Sequence, residues 1–346
     1  MAYTSIDDPS AYFQTLLYTG NSSSPRDLVN DGNSDLQPDF VWIKGRSHAD
    51  LHLLYDSSRG GGKFIRTEST AAENTGGYGL TAFNSDGFRT NAYAYSNENT
   101  HTYAAWQWKA NGGTTATNSD GSTDTTVQAN TDAGFSIVTF TTDGGNETYG
   151  HGLGVKPDIV IVKSRSGGGS WIYMTDVIDG SVDYLLLNGT NAAADLSYGA
   201  FTSSTFQYND NNAVTQIAYC FAEKQGYSKF GKYVGNGSSN GTFVYTGFAP
   251  AWVMIKDTSQ ATNWEIFDVK RNPSNVRNLK LGANLAVAEN GSDLGTTSQN
   301  NIDILSNGFK MRTGNTDTNV SGDTFIFMAF AENPFTTSTG VPCTAR

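Results

Sequence analysis

Apolar and polar positions along the chain fall into one pattern that is spelled three times. QPDFVWIKGRS begins at Gln37, KPDIVIVKSRS at Lys156 and APAWVMIKDTS at Ala249. Each reads as an alternating strand led by a proline (Pro38, Pro157 or Pro250), at a position that needs no ladder donor. Each closes on a lysine: Lys44, Lys163 or Lys256. One face carries Val41 and Ile43, Val160 and Val162, or Val253 and Ile255. The other carries Phe40 and Trp42, Ile159 and Ile161, or Trp252 and Met254. Both faces are apolar, so these strands are expected to be covered on both sides.

The pattern continues in step. HLLYDSSR, WIYMTDVID and WEIFDVKR each run an alternating strand into a turn headed by Asp56, Asp176 or Asp268. LTAFNSDGFRT, YGAFTSSTFQYN and IDILSNGFKMRTG place Phe88, Phe206 and Phe309 at matching positions. Asp86-Gly87 and Asn307-Gly308 are hairpin signals. The strands YFQTLLYTGN, GFSIVTFTTDG and YSKFGKYVGNG open the units, and TYAAWQWKA, QIAYCFAEK and FIFMAFAEN close them. The reading is all-β: three tandem antiparallel β-sandwich units of jelly-roll or concanavalin-like type. They span residues 1–112, 133–225 and 226–346. The stretch 113–132, rich in Thr, Asn, Gly and Asp and nearly free of apolar residues, is expected to be a linker. Ordering so polar a stretch calls for a surface to hold it, and a neighbouring subunit is the expected one.

Composition agrees. The 346 residues include 38 Gly, 17 Tyr and 19 Phe, too aromatic for disorder and suited to turn-rich sheets. A net charge of -11 disfavours nucleic acid and anionic membrane surfaces as partners. No secretory signal and no membrane-spanning run is visible. Cys220 and Cys343 are too few for a disulfide framework and read as free thiols of a protein folded in a reducing bacterial cytoplasm.

At this point DDPSAYFQTLLYTGN, LQPDFVWIKGRS, LLYDSSRG, LTAFNSDGF, TYAAWQWKA and AFAENPF together resemble a β-sandwich repeat of tailed-bacteriophage structural proteins. Those proteins belong especially to marine phages of cyanobacteria and related hosts. The likeness covers the whole chain. It is strongest in the first unit and weaker in the second, where SDGF becomes SSTF and the Trp strand centres on Cys220. The resemblance implies a virion surface component: a tail fibre, a knob or a capsid decoration. It implies no catalytic residues, and none is assigned.

The remaining candidates are weighed against plainer readings. His48 and His52 have metal-ligand spacing only if helical, and a surface turn between two strands is the expected setting. His101 and His151 complete the histidines. Glu68, Glu147 and Glu265 could supply a glycosidase pair, but none has a recognisable setting. Calcium is the one small ligand considered, at Asn118–Asp124 or Asp31–Asp35, though solvated turns explain both. The tryptophans are expected in the core. Tyr93 and Tyr95, alternating with alanine, are the candidates for a contact surface.

The expected function is structural. The chain would be a non-enzymatic virion component that binds other virion proteins, with rigid sandwiches acting as spacers and the first unit as anchor. A homo-oligomer, guessed to be a trimer, is expected. The alternative is an adhesin module for a host-surface glycan, and a polysaccharide-degrading enzyme is a third class.

Overall fold

A computed structural model describes residues 3–197, 199–210, 212–294, 301–314 and 317–343. The outermost residues of the expected first and third units lie outside this range.

The molecule is all-β and its sheets are antiparallel sandwiches. One strand order recurs. In the first sheet it runs from the opening strand (Phe13–Thr19) to the closing strand (Thr102–Trp108). The proline-led strand (Phe40–Gly45) and the fourth strand (His52–Asp56) follow. In the second sheet the same order is Phe135–Thr141, Thr215–Phe221, Ile159–Ser164 and Ile172–Thr175. In the third it is Ser228–Val234, Thr324–Pro334, Phe248–Asp257 and Glu265–Asp268. Register carries the equivalence to single residues. Phe40, Ile159 and Trp252 lie opposite Trp108, Phe221 and Phe330 on one side. On the other they lie opposite Asp56, Thr175 and Asp268.

Each large sheet is backed by a small one that holds Phe88, Phe206 or Phe309, all fully buried. Within two of the small sheets, paired strands come close at a glycine. A Cβ at Gly87 would lie 2.0 Å from the Leu28 carbonyl, and one at Gly308 2.0 Å from that of Val244. In the second repeat Thr205 lies opposite Gly150, so the glycine has crossed to the partner strand. That exchange accounts for the departure of SSTF from the SDGF pattern.

The two apolar faces of the proline-led strands have separate destinations. Val41 and Ile43, Val160 and Val162, and Val253 and Ile255 fill three separate sandwich interiors. Phe40, Trp42, Ile159, Ile161, Trp252 and Met254 enter a fourth interior shared by all three repeats. All six tryptophans are in it and all are buried. At roughly 150–250 Å² each, they supply much of the apolar area that holds the repeats together. The sandwiches are therefore joined through one core, and they do not follow one another as independent spacers.

The 113–132 stretch also differs from its expectation. It contains strands Ala116–Asn118 and Thr125–Asn130, the second paired with the opening strand of the second repeat. Main-chain hydrogen bonds to an open sheet edge need no apolar side chains, which is why composition pointed elsewhere. Gln128 is fully buried. Its oxygen accepts from the main-chain nitrogens of Asn111 (3.1 Å) and Gly113 (2.8 Å), and its amide donates to Ser57 and Ser58, both at 2.9 Å. The segment is held by its own chain.

Candidate functional site

The polar chemistry of this protein is concentrated where the repeats meet. The first residue of each fourth strand, or the residue just before it, sits at one equivalent position: His52, Trp171 and Trp264. Each bonds a carbonyl of another repeat. Trp171 Nε1 donates to Arg66 O at 2.7 Å, second repeat to first. Trp264 Nε1 donates to Leu186 O at 2.9 Å, third to second. His52 Nε2 lies 2.9 Å from Gly282 O, first to third. The acceptors are equivalent too, as the pairings Leu54–Ile65, Tyr173–Leu185 and Ile266–Leu281 show. Three head-to-tail contacts of the same kind close a ring, a pseudo-threefold arrangement within one chain.

His52 is not in a surface turn. It is wholly buried on the fourth strand, where the chain continues from the turn at His48 into the sheet. Its Nδ1 accepts from Trp42 Nε1 at 2.8 Å, and Nε2 faces the carbonyls of Gly282 and Leu285 (3.0 Å). An indole only donates and a carbonyl only accepts, so the neutral Nε2–H tautomer is fixed. Burial, then the nearby Lys44 charge, hold its pKa well below the usual histidine value.

Beside this ring, two interfaces carry the same buried ion network. Between the first and second repeats, Arg59 binds Asp56 and Glu73, and Arg165 also binds Glu73. Asp56 additionally accepts from Tyr219 Oη at 2.8 Å. Between the third and first, Arg271 binds Asp268 and Glu289, and Arg46 also binds Glu289. Asp268 accepts from Trp106 Nε1 at 3.1 Å. The second–third interface has Thr175, Ile178, Ala193, Thr258 and Met328 at the corresponding places. The main-chain bond linking these positions survives in all three: Glu73 N to Arg165 O (3.0 Å), Glu289 N to Arg46 O (2.8 Å) and Ala193 N to Thr258 O (2.9 Å).

Asp176 is thus not the counterpart of Asp56 and Asp268. It lies one residue past Thr175 and binds the exposed Lys156. The network was the feature hardest to see in advance, yet its signal was present. HLLYDSSR and WEIFDVKR share Asp-x-x-Arg, and KGRS and KSRS share the arginine that KDTS lacks.

The closing lysines are fully buried and each donates to the carbonyl of the next residue: Gly45 (2.8 Å), Ser164 (2.9 Å) and Asp257 (2.5 Å). Burial brings the pKa of each down to about 8. Of the glutamates, Glu68 accepts from His52 N, Glu147 is held by Tyr149 and Thr123, and Glu265 is buried on the fourth strand of the third repeat. Each belongs to a different repeat. His48 stacks on His101 at 3.5 Å between centroids, and His151 is buried.

The calcium candidates stay apart as turns. Asn118 and Asp120 bond each other, and exposed Asp31 pairs with Lys270. Tyr93 and Tyr95 are half-buried around a short helix, Ala94–Asn97, and pack on the first sandwich interior. Tyr93 stacks on Tyr78, 4.9 Å away and 48% exposed, so the aromatic surface centres on a residue that sequence reasoning passed over. At the ring centre a cavity of about 20 Å³ is lined by Phe40, Trp42, Trp108, Tyr219 and Trp252, large enough for no more than a water and without polar partners for one. Both cysteines are free. Among the described residues, no helix is long and apolar enough to cross a membrane.

Over residues 8–334 the chain matches the family described as Domain of unknown function (DUF7483) and belongs to it. No curated protein and no solved structure matches.

Proposed function

We propose that this chain is a structural component of a bacteriophage virion, a rigid surface-projecting body that works through contacts with other virion proteins and catalyses no reaction. The observation that carries the reading is the ring. The histidine, arginines, aspartates and tryptophans best suited to chemistry or sugar stacking are spent on joining the repeats. Such a body resists deformation and presents three similar outer faces. A single chain already supplies the threefold framework for which a homotrimer was expected, so we propose a monomer at the level of assembly. The phage-repeat resemblance supplies the particle.

The test is to raise antibodies against the purified full chain and label intact phage particles by immunogold electron microscopy. Specific labelling of capsid or tail is expected. A chain present in infected-cell lysate but absent from purified virions by both labelling and mass spectrometry overturns the reading.

The exposed Tyr78 against Tyr93 and Tyr95 favours a second reading, attachment to a host-surface glycan through aromatic stacking. A glycan array with the full chain and Tyr78→Ala separates the two: binding lost in the variant supports adhesion, and no binding leaves assembly alone.

A further inference from the structure

Three aspartates of the second repeat meet at one edge of its large sheet. Asp183 opens the strand Asp183–Leu186, and Asp195 of the edge strand Ala194–Asp195 lies directly opposite it in the antiparallel pair. Asp179 stands in the turn before them. One carboxylate oxygen from each lies within 4.8 Å of the other two. Asp179 and Asp195 are exposed, but Asp183 is 3% exposed and its Oδ2 has no hydrogen-bond partner. None of the three forms an ion pair among the described residues; Asp179 Oδ1 accepts from Ser181 N (2.8 Å) and Oγ (2.6 Å), and the Lys232 ammonium, which donates to Ile178 O at 2.6 Å, reaches Asp179 only through its field.

Like charges directly across a strand pair repel, and burying one of them strengthens the repulsion. Burial foremost, then the charge of Asp179 and the carboxyl of Asp195, push Asp183 up to about 6. A bound cation would offset this repulsion and give the buried Asp183 Oδ2 the partner it lacks.

We propose that Asp179, Asp183 and Asp195 form a calcium site. The donors are all hard oxygens, with no imidazole or thiolate to favour zinc. The exposed side leaves room for the waters that complete a coordination of six to eight, a looser demand than the strict octahedron of magnesium. The position has a structural meaning. Asp179 follows Ile178, and Asp195 stands two residues after Ala193, the residues that replace Arg and Glu at the interface without an ion network. A cation here would pin the turn and the edge strand that form that interface.

The full chain, stripped with a chelator and dialysed at pH 7.5, should gain about 2–4 °C in Tm at ~1 mM CaCl2, and less with MgCl2. Terbium luminescence should titrate to one ion per chain and be displaced by calcium. Asp195→Asn, at an exposed position, should abolish both responses. Asp183→Asn should abolish them too, while raising the Tm of the calcium-free protein by relieving the repulsion. A wild-type Tm that ignores calcium up to ~10 mM overturns the proposal. So does an undiminished calcium response in the Asp183→Asn, Asp195→Asn double variant, which would place the ion elsewhere.

Discussion

The first–second and second–third interfaces are built on one backbone plan, yet one is ionic and the other is not. At the first–second interface, Asp56, Arg59, Glu73 and Arg165 form a network whose Asp–Arg pair is fully buried. At the second–third, Thr175, Ile178, Ala193 and Thr258 fill the same places around an identical main-chain bond. One chain therefore contains both solutions to the same packing problem. Removing two charges from water costs about what their attraction returns, so an apolar replacement of similar volume can be as stable. The charges contribute something else. Three similar repeats could associate in the wrong order, and a network repeated at two joints and missing from the third penalises an arrangement that sets Arg46 against Ala193 or Glu73 against Thr258. The network's role would then be to fix the order of the ring, with little net gain in stability.

That comparison breaks most sharply at Arg59. Arg59→Met leaves the Asp56 carboxylate buried without a cation and Glu73 paired with Arg165 alone, and should cost about 3–5 kcal/mol in urea unfolding. Copying the apolar interface whole, as Asp56→Thr, Arg59→Ile, Glu73→Ala and Arg165→Thr together, should recover most of that loss and end within about 1–2 kcal/mol of the wild type. A quadruple variant as unstable as the single one would show that the network itself stabilises the ring.

The lysines sharpen the contrast from another side. Lys44 and Lys163 face carbonyls across the ionic interfaces, Ala286 O (3.4 Å) and Thr70 O (3.5 Å), while Lys256 turns to Gln260 and Thr262 of its own repeat. All three have folded-state values near 8, below the usual 10.5. Below pH 8 both folded and unfolded chains carry these protons and the burial penalty is present in full. Between pH 8 and 10.5 the folded chain has released them and the unfolded chain has not, so stability rises with pH. Each lysine contributes a slope of about 1.4 kcal/mol per pH unit. Lys163→Met should remove one such contribution, seen in urea midpoints measured from pH 7 to 10.

The third–first interface has a different sensitivity, because His52 stands where the other two joints use tryptophan. Its pKa is depressed by burial, so the neutral form is the native one. As pH falls below about 6.5 the unfolded chain takes up a proton that the folded chain refuses, and stability declines by about 1.4 kcal/mol per pH unit. By pH 5.5 the loss is thus on the order of 1 kcal/mol. His52→Gln, which cannot titrate, should be less stable at pH 7 but should lose that acid slope. An unchanged slope would mean that another group carries it.

Much of this was legible in the sequence, and the reason is periodicity. Two apolar faces on each proline-led strand required two coverings, and the structure provides a sandwich interior on one side and the shared core on the other. Phe88, Phe206 and Phe309 fell at matching buried places for the same reason. The ring closure was not legible, because apolar character says that a face is covered and not what covers it. Residues 116–118 and 125–130 were hidden because edge pairing works through the main chain. The partner of Tyr93 was missed because Tyr78 is 15 positions away in a glycine-rich loop with no period to mark it.

Asp176 tests the smallest and most exacting part of the comparison. By its letters it belongs with Asp56 and Asp268, since all three follow an alternating strand into a turn. By register it is one place late, because Thr175 lies opposite Ile159 as Asp56 lies opposite Phe40. Asp176 lies just past the end of the strand Ile172–Thr175, outside that pairing, and meets Lys156; the lysine is 47% exposed and the carboxylate 15%. Exposed pairs of this kind contribute about 0–1 kcal/mol. Asp176→Ala should therefore shift the urea midpoint by no more than that, and the shift should shrink further in high salt. Asp268→Ala, which leaves Arg271 buried against Glu289 alone and takes the acceptor from Trp106, should cost several times as much. Equal losses in the two variants would mean that the equivalence read from the letters is the true one, and that the second–third interface is no exception among the three.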